Sequence, residues 1–376
     1  MRSGIALSSV VMLAGAPFMQ QQQTSGRIAP DLRASIDSFV EQRVVTDAFA
    51  GVVFVARNGV SVYQRAAGIA NRETGAPMRL DTKLQIASVT KLFTQVAIRQ
   101  LEQAGKLSLL DTVGKFLPDY PNPVVRSRVT IEQLLRHRSG VGSFWNERFL
   151  AHAADVRTVR DYLELFQKDS LLFEPGTSEA YSNGGYVMLG AIIERVSGQS
   201  YYDYLRDNVF KPAGMTNTKA QDRRVAPENA AVGYTTQPTE MAGGDRRLAG
   251  QGPRPGSAPP AAQGEQRPRR PNTGFQAGVS SPAGDHFTTA ADLIAFSKVL
   301  LEHRLLDSAR TAAVLGARYA AGQDFRAAGG GPGVNAEFSI FPTGEVMVVL
   351  ATYDPPAATT IAQYIRALIA PAPAVR

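Results

Sequence analysis

Two β-rich stretches at opposite ends of the chain restrict its folding more than any other feature. "GVVFVARNGVSVYQRAAG" starts at Gly51 and "GVNAEFSIFPTGEVMVVLATYD" starts at Gly333. In the first, Asn58-Gly59 divides two apolar runs, a strong hairpin signal because both central residues of that turn take positive φ. Thr343-Gly344 divides the second stretch in the same way. Between the two, the chain from about residue 82 to 209 has helical spacing, with helix starts expected near Ser88, Thr130, Thr158, Gly184 and Tyr201. Loops such as "PDYPNP" and "FEPGT" separate these segments. "PDLRASIDSFVEQRV", with Leu32, Ile36, Phe39 and Val40 on one face, reads as a helix before the first hairpin, and "ATTIAQYIRALIA" as a helix after the last. Strands at both ends with helices between them predict one sheet assembled from both termini, with an inserted helical lobe.

The 376 residues, 44% of them apolar, suit one large domain or two interleaved lobes. We place a single domain over 30–376, its α/β lobe at about 30–85 and 275–376 and its helical lobe at about 86–210. "GQGPRPGSAPPAAQGEQRPRRPNTG", residues 250–274, lacks apolar periodicity and is expected to be a flexible surface insertion. Residues 1–26 have the order of a secretory leader, one Arg, then an apolar run too short to span a bilayer, then glutamines. The expectation is export to the periplasm or medium, with no membrane span after processing. The formal charge of +7 is mostly arginine and is spread along the chain, with no basic run interleaved with aromatics and no finger or helix-turn-helix pattern. A nucleic-acid partner is not expected.

Several reaction types drop out next. No cysteine is present, which removes thiolate nucleophiles and cysteine metal sites. No serine lies in a Gly-x-Ser-x-Gly frame, and there is no phosphate-binding loop, dinucleotide fingerprint or His-Glu-x-x-His. His137, His152, His286 and His303 are scattered, so neither a metal nor another cofactor is expected.

"LQIASVTKLFTQVA", Leu84 to Ala97, sets Ser88 three residues before Lys91 at the opening of an amphipathic helix. Residues three apart share a helix face, so Lys91 can reach the Ser88 hydroxyl. A lysine takes a proton from serine only if burial or a neighbouring cation drives its pKa well below about 10.4. The apolar flanks offer burial, yet the pair by itself reads more readily as a helix cap. A second stretch, "FEPGTSEAYSNGGYVMLGAIIERVSGQSYYDYL", carries Tyr181 and Asn183 on a loop at a helix entrance. There a tyrosine can serve as general acid or base and an Asn can bind a substrate amide, or the two can close a pocket and cap the helix.

"ASVTK" followed by "YSN" resembles the serine hydrolases of the class C β-lactamase and penicillin-binding-protein superfamily, whose signatures are Ser-x-x-Lys and Tyr-x-Asn. "GKLSLLDTVGKFLPDYP", "VTIEQLLRHRSGVGSF" and "SPAGDHFTTAADLIAFSKVLL" are similar to the same family, and the likeness runs from about residue 30 to the carboxyl end. The resemblance implies an α/β (α+β) fold with an antiparallel sheet flanked by terminal helices and a site between sheet and helical lobe. It implies Ser88 as the acylated nucleophile, Lys91 as proton acceptor, Tyr181 as general acid/base and Asn183 as substrate ligand. The Ser88 N–H would be one of two oxyanion donors.

The family's third motif, Lys-Thr-Gly or His-x-Gly on a strand edge, falls on Ala327-Ala328-Gly329, with Gly330 as the second oxyanion donor. No basic residue occupies it, and Arg326, one position early, is a candidate carboxylate ligand only if the strand bulges or bends. The implied partner is a small-molecule or peptide-like acyl substrate. Loss of the cation favours an esterase-like or broad acyl hydrolase over an efficient β-lactamase, with D-Ala-D-Ala carboxypeptidase or D-aminopeptidase chemistry also open. The alternative is a penicillin-binding-like protein that holds peptidoglycan or peptide ligands without turnover. His137, in "LLRHRSGVG", is expected to support structure.

Overall fold

The computed structural model describes residues 30–220, 222, 227–238 and 268–369. Helix α1 (Pro30–Val45) leads into strands β1 (Gly51–Arg57) and β2 (Val60–Ala67), joined by Asn58 and Gly59 at φ +51° and +77°. Both values match the hairpin read from the sequence. The helical lobe follows and contains α2 (Lys91–Gln103) and α3 (Asn183–Ser197). Helix α4 (Ala290–Leu301) then returns to the sheet, completed by β3 (Phe325–Gly331), β4 (Val334–Ile340) and β5 (Glu345–Ala351) before α5 (Ala357–Ile369).

The five strands lie in the order β2-β1-β5-β4-β3, and every neighbouring pair is antiparallel. The amino-terminal hairpin is therefore stitched to the carboxyl-terminal strands through the β1/β5 pairing, from Gly51↔Ala351 to Arg57↔Glu345. Successive residues face opposite sides of a strand, which divides the apolar side chains into two cores. Val53 and Val55 of β1 and Met347 and Val349 of β5 pack with Ile36, Val40, Ile361 and Ile365 of α1 and α5. Val52, Phe54, Val348 and Leu350 point the other way, into the large core shared with α2, α3 and α4.

Thr130 and Thr158 each close a capping box, with Gln133 and Asp161 respectively, at the helix starts expected for them. At α3 the cap is Ser182, whose Oγ accepts from the Gly185 N–H, so Asn183 is the first helical residue and its side chain is not the cap.

One expected boundary is corrected. Residues 1–26 and 250–267 lie outside the described residues, and the end of the expected insertion, which lies inside them, is paired and packed. Arg270–Pro271 pairs with Tyr234–Thr235, and Asn272, 2% exposed, donates from Nδ2 to the Pro332 carbonyl at 2.9 Å. A Pro- and Arg-rich composition hides this because the segment is held by backbone pairing and one buried amide, neither of which needs apolar periodicity. Among the described residues no helix is long and apolar enough to cross a membrane, and no group of His, Asp and Glu could hold a metal.

Candidate active site

The site begins at a single 3-10 turn, Ala87–Thr90, in front of α2. Side chains at i and i+3 eclipse in such a turn, so Lys91 stands over Ser88. The Lys91 Nζ lies 3.1 Å from Ser88 Oγ. No side-chain cap closes this turn, and the Ser88 hydroxyl is instead held from both sides, because Tyr181 OH donates to the same Oγ at 2.7 Å. The four residues singled out from two motifs meet here, since Lys91 Nζ also donates to Asn183 Oδ1 at 2.8 Å and to the Ala283 carbonyl at 2.5 Å.

Lys91 is 7% exposed and sits 4.7 Å from the centre of the Tyr181 ring and 5.5 Å from that of Tyr186. Burial pushes its ammonium below the ordinary lysine value, while Tyr181 and Asp285 favour the charged form. A neutral amine has two N–H bonds and one lone pair. Asn183 Oδ1 and the Ala283 carbonyl can only accept, whereas the Ser88 hydroxyl has a proton to give. The three partners therefore orient a neutral Lys91 with its lone pair on Ser88, and the Tyr181 proton fills the serine's acceptor side.

His137 makes no hydrogen bond to the side chains of Ser88, Lys91, Tyr181 or Asn183. Its ring packs at a tilt against Tyr181 and Tyr186, with centroids 4.6 and 5.2 Å away, its Nδ1 accepts from the Ser182 N–H at 3.1 Å, and its carbonyl accepts from the Ala180 N–H at 3.0 Å. Burial first, and then the Lys91 charge, depress its pKa to about 4, which keeps the ring neutral and Nδ1 free to accept. The supporting role read from the sequence agrees with this placement, because His137 holds the loop that presents Tyr181.

Along β3, Phe325 and Ala327 pack toward the large core, and Gly329 shares their side of the strand. A Cβ on Gly329 would lie 2.3 Å from the Ile86 carbonyl oxygen and 2.8 Å from the Ser88 nitrogen, so the strand presses onto the nucleophile's own backbone. The two-residue turn Pro332–Gly333 makes Gly331 and Val334 the hydrogen-bonded closing pair. Alternation then turns the Gly329 carbonyl toward β4 and the Gly330 N–H toward the open edge.

Arg326 is a correction. The β3/β4 register runs without a shift from Gly331↔Val334 to Phe325↔Ile340, so the bulge that would bring Arg326 to the cleft is missing. Its side chain lies on the α5 side, with Nε 2.6 Å from Asp324 Oδ2, and it is not placed to meet a substrate carboxylate. The sequence also left out Ser143, whose Oγ accepts from Asn183 Nδ2 at 3.3 Å, and the Ala283 carbonyl. "SPAG" and "RSGVGSF" were visible as family-like stretches, but a backbone acceptor carries no side-chain signature.

The antiparallel sheet built from both ends of the chain and the Ser-Lys-Tyr-Asn cluster at its edge are those of the β-lactamase and penicillin-binding-protein superfamily of serine hydrolases. Residues 36–354 match the Beta-lactamase family, and the chain belongs to it. Penicillin-binding protein 4* of Bacillus subtilis is 35% identical over 194 residues, which are 50% of this chain and 42% of that protein. Protein flp of Staphylococcus aureus is 30% identical over 214 residues, 56% of this chain and 43% of its own length. The matched region thus spans less than half the length of these curated relatives. The crystal structure of a penicillin binding protein from Bacillus halodurans superposes with a TM-score of 0.72 at 26% identity, covering 87% of this chain and 98% of that one.

Proposed function

We propose that the protein is an acyl hydrolase that works through an acyl-enzyme on Ser88 and prefers esters to β-lactams. The observation that carries this reading is the Ser88 hydroxyl held between a buried Lys91 amine and the Tyr181 phenol. Ser88 Oγ attacks the substrate carbonyl and its proton passes to Lys91 Nζ. The carbonyl oxygen becomes an oxyanion facing the N–H groups of Ser88 and Gly330. Tyr181 passes its proton to the leaving alcohol or amine and is reprotonated from Lys91. Water then attacks the acyl carbonyl and gives a proton to the same pair of groups, the bond to Ser88 Oγ breaks, and that proton returns to Ser88 Oγ as the acid is released. Asn183, held between Lys91 and Ser143, is assigned the role of binding the substrate amide beside Ser88.

The preference for esters rests on β3. At Ala327 a methyl group stands where the family's third motif usually carries Lys or His, and Arg326 is tied to Asp324 on the opposite face. A substrate carboxylate beside the scissile bond loses a charge-assisted contact of roughly 1.5 to 3 kcal/mol, a ten- to hundredfold loss that simple esters do not suffer.

Turnover of p-nitrophenyl butyrate, nitrocefin and a D-Ala-D-Ala peptide, measured side by side with Ser88→Ala, tests both statements. The expected result is ester turnover well above lactam turnover, abolished in the variant, and a fluorophosphonate adduct on Ser88. Lactam turnover above ester turnover would sink the preference. A folded protein that forms no adduct and keeps its activity in Ser88→Ala would sink the mechanism, and one that binds penicillin or peptide without turnover would establish the ligand-holding alternative.

A further inference from the structure

Asn335, on β4 and 2% exposed, joins two parts of the molecule that the reaction scheme does not connect. Its Oδ1 accepts from the backbone N–H groups of Ala358 and Thr359, 2.8 and 3.0 Å away in the first turn of α5, and from Thr359 Oγ1 at 3.2 Å. Those donors fix which end of the amide faces the helix. The other end, Nδ2, therefore points at the edge strand, where it donates to the Gly329 carbonyl at 3.1 Å.

The Gly329 carbonyl and the Gly330 N–H belong to one peptide unit and point in opposite directions. A bond that holds the carbonyl toward β4 thereby aims the Gly330 N–H at the open edge beside Ser88. This unit needs such help. It sits in "AAGGG" on an edge strand, where glycine leaves the backbone conformationally permissive. Its Cβ positions are also closed to anchoring side chains, by Ile86 and Ser88 at Gly329 and by Pro355, 2.7 Å away, at Gly330. A carbonyl has two lone pairs, and the ladder to β4 uses only one. Donation from Asn335 to the second polarises the peptide and strengthens the donor at its far end.

We propose that Asn335 is a positioning residue for the oxyanion site, holding and polarising the Gly329–Gly330 peptide while its other end is anchored by the start of α5. The proposal rests on the acyl-enzyme reading above. No contact between Asn335 and substrate is involved, since Asn335 faces α5 across the sheet from Ser88.

Two variants separate this role from helix capping. Asn335→Asp keeps an acceptor for the α5 N–H groups, a favourable place for an anion, but sets an oxygen against the Gly329 carbonyl. Asn335→Ala removes both functions. Turnover of p-nitrophenyl butyrate at pH 8, normalised to Ser88 sites titrated with fluorophosphonate, is measured beside Tm. The expected result is that both variants lose roughly tenfold or more in kcat with KM within about twofold, and that Tm falls mainly in Asn335→Ala. Wild-type kcat in Asn335→Asp, or a kcat loss that tracks Tm across the pair, would overturn the proposal and leave Asn335 a cap. Should Asn335→Ala fail to fold, the kcat of Asn335→Asp decides; should Asn335→Asp fail to fold, wild-type kcat in Asn335→Ala overturns the proposal, and a tenfold loss that persists well below the Tm of that variant supports it. If the wild-type protein itself forms no Ser88 adduct and hydrolyses no ester, the acyl-enzyme reading has failed, an outcome distinct from an active wild type matched by an active Asn335→Asp.

Discussion

Tyr181 is the residue on which the proposed proton traffic turns, because its hydroxyl is the second hydrogen-bond partner of Ser88 Oγ while its ring is packed between Lys91 and His137. Tyr181→Phe keeps the ring and deletes the proton. It should lower kcat/KM for p-nitrophenyl butyrate by about 10²- to 10⁴-fold, the usual worth of a general acid/base. Only one hydrogen bond is lost from the fold, so Tm should move by no more than about 4 °C. Near-wild-type turnover in a folded Tyr181→Phe would show that leaving-group protonation does not pass through this phenol. The four site residues were legible in the sequence because a motif is a side-chain pattern, and chemistry that needs a hydroxyl, an amine, a phenol and an amide leaves those letters behind. Ala283 was not legible, since its contribution is a carbonyl oxygen that any residue would supply at that point of the backbone. Asn335 was missed for another reason. Its importance lies in a tertiary contact made from a strand whose alternation marks it only as facing away from the large core.

At the scale of elements, the approach of β3 to the turn Ala87–Thr90 decides whether the oxyanion site is complete. Gly329 is the point of contact, and a methyl group there would collide with the Ile86 carbonyl and the Ser88 nitrogen. These are backbone atoms that cannot swing aside. Gly331, two residues along on the same strand, has nothing within 4 Å of the position its Cβ would take. Gly329→Ala should therefore push the strand off the nucleophile and cost about tenfold or more in kcat/KM, since displacements near 1 Å at a reacting centre are felt on that scale. Gly331→Ala should stay within about twofold. Equal activities in the two variants would mean that the strand edge is not part of the site. Sequence matching put the third-motif Gly at Gly329, the point where β3 presses on the Ser88 turn, because a missing side chain at a crowded crossing is a strong constraint. It left Arg326 open, because one residue of register moves a side chain to the other face of a sheet and only the pairing with β4 settles that parity.

At the scale of the whole molecule, the described fold is an open sheet assembled from both ends of the chain, legible from paired hairpin signals because apolar runs buried on both faces leave a long trace in the sequence. What that trace does not show is which polar groups the closed core traps in neutral form. His286, wholly buried between the rings of Phe93, Tyr201 and Phe210, is depressed to a pKa of about 3 by burial, as His137 is to about 4. In the unfolded chain both titrate near 6.5. Above that value neither state binds the proton and the two histidines contribute nothing to the pH dependence. Below it the unfolded chain takes up protons that the folded chain refuses, so stability falls with pH until His137 protonates near 4 and His286 near 3. Each proton is worth about 1.4 kcal/mol per pH unit, and the two together approach about 2.7 kcal/mol per unit around pH 5. Carboxylates held low by ion pairs add a loss of the same sign at lower pH, so the histidine share is read from a difference between variants. His286→Phe keeps an aromatic ring in the cage and should halve the histidine contribution to the fall in unfolding free energy between pH 6 and pH 4, measured by urea titration at each pH. His137→Gln should do likewise, with the added loss of activity expected when the support of Tyr181 is removed. Curves for His286→Phe and wild type that stay parallel over that interval would show that the imidazole is not held neutral by the fold.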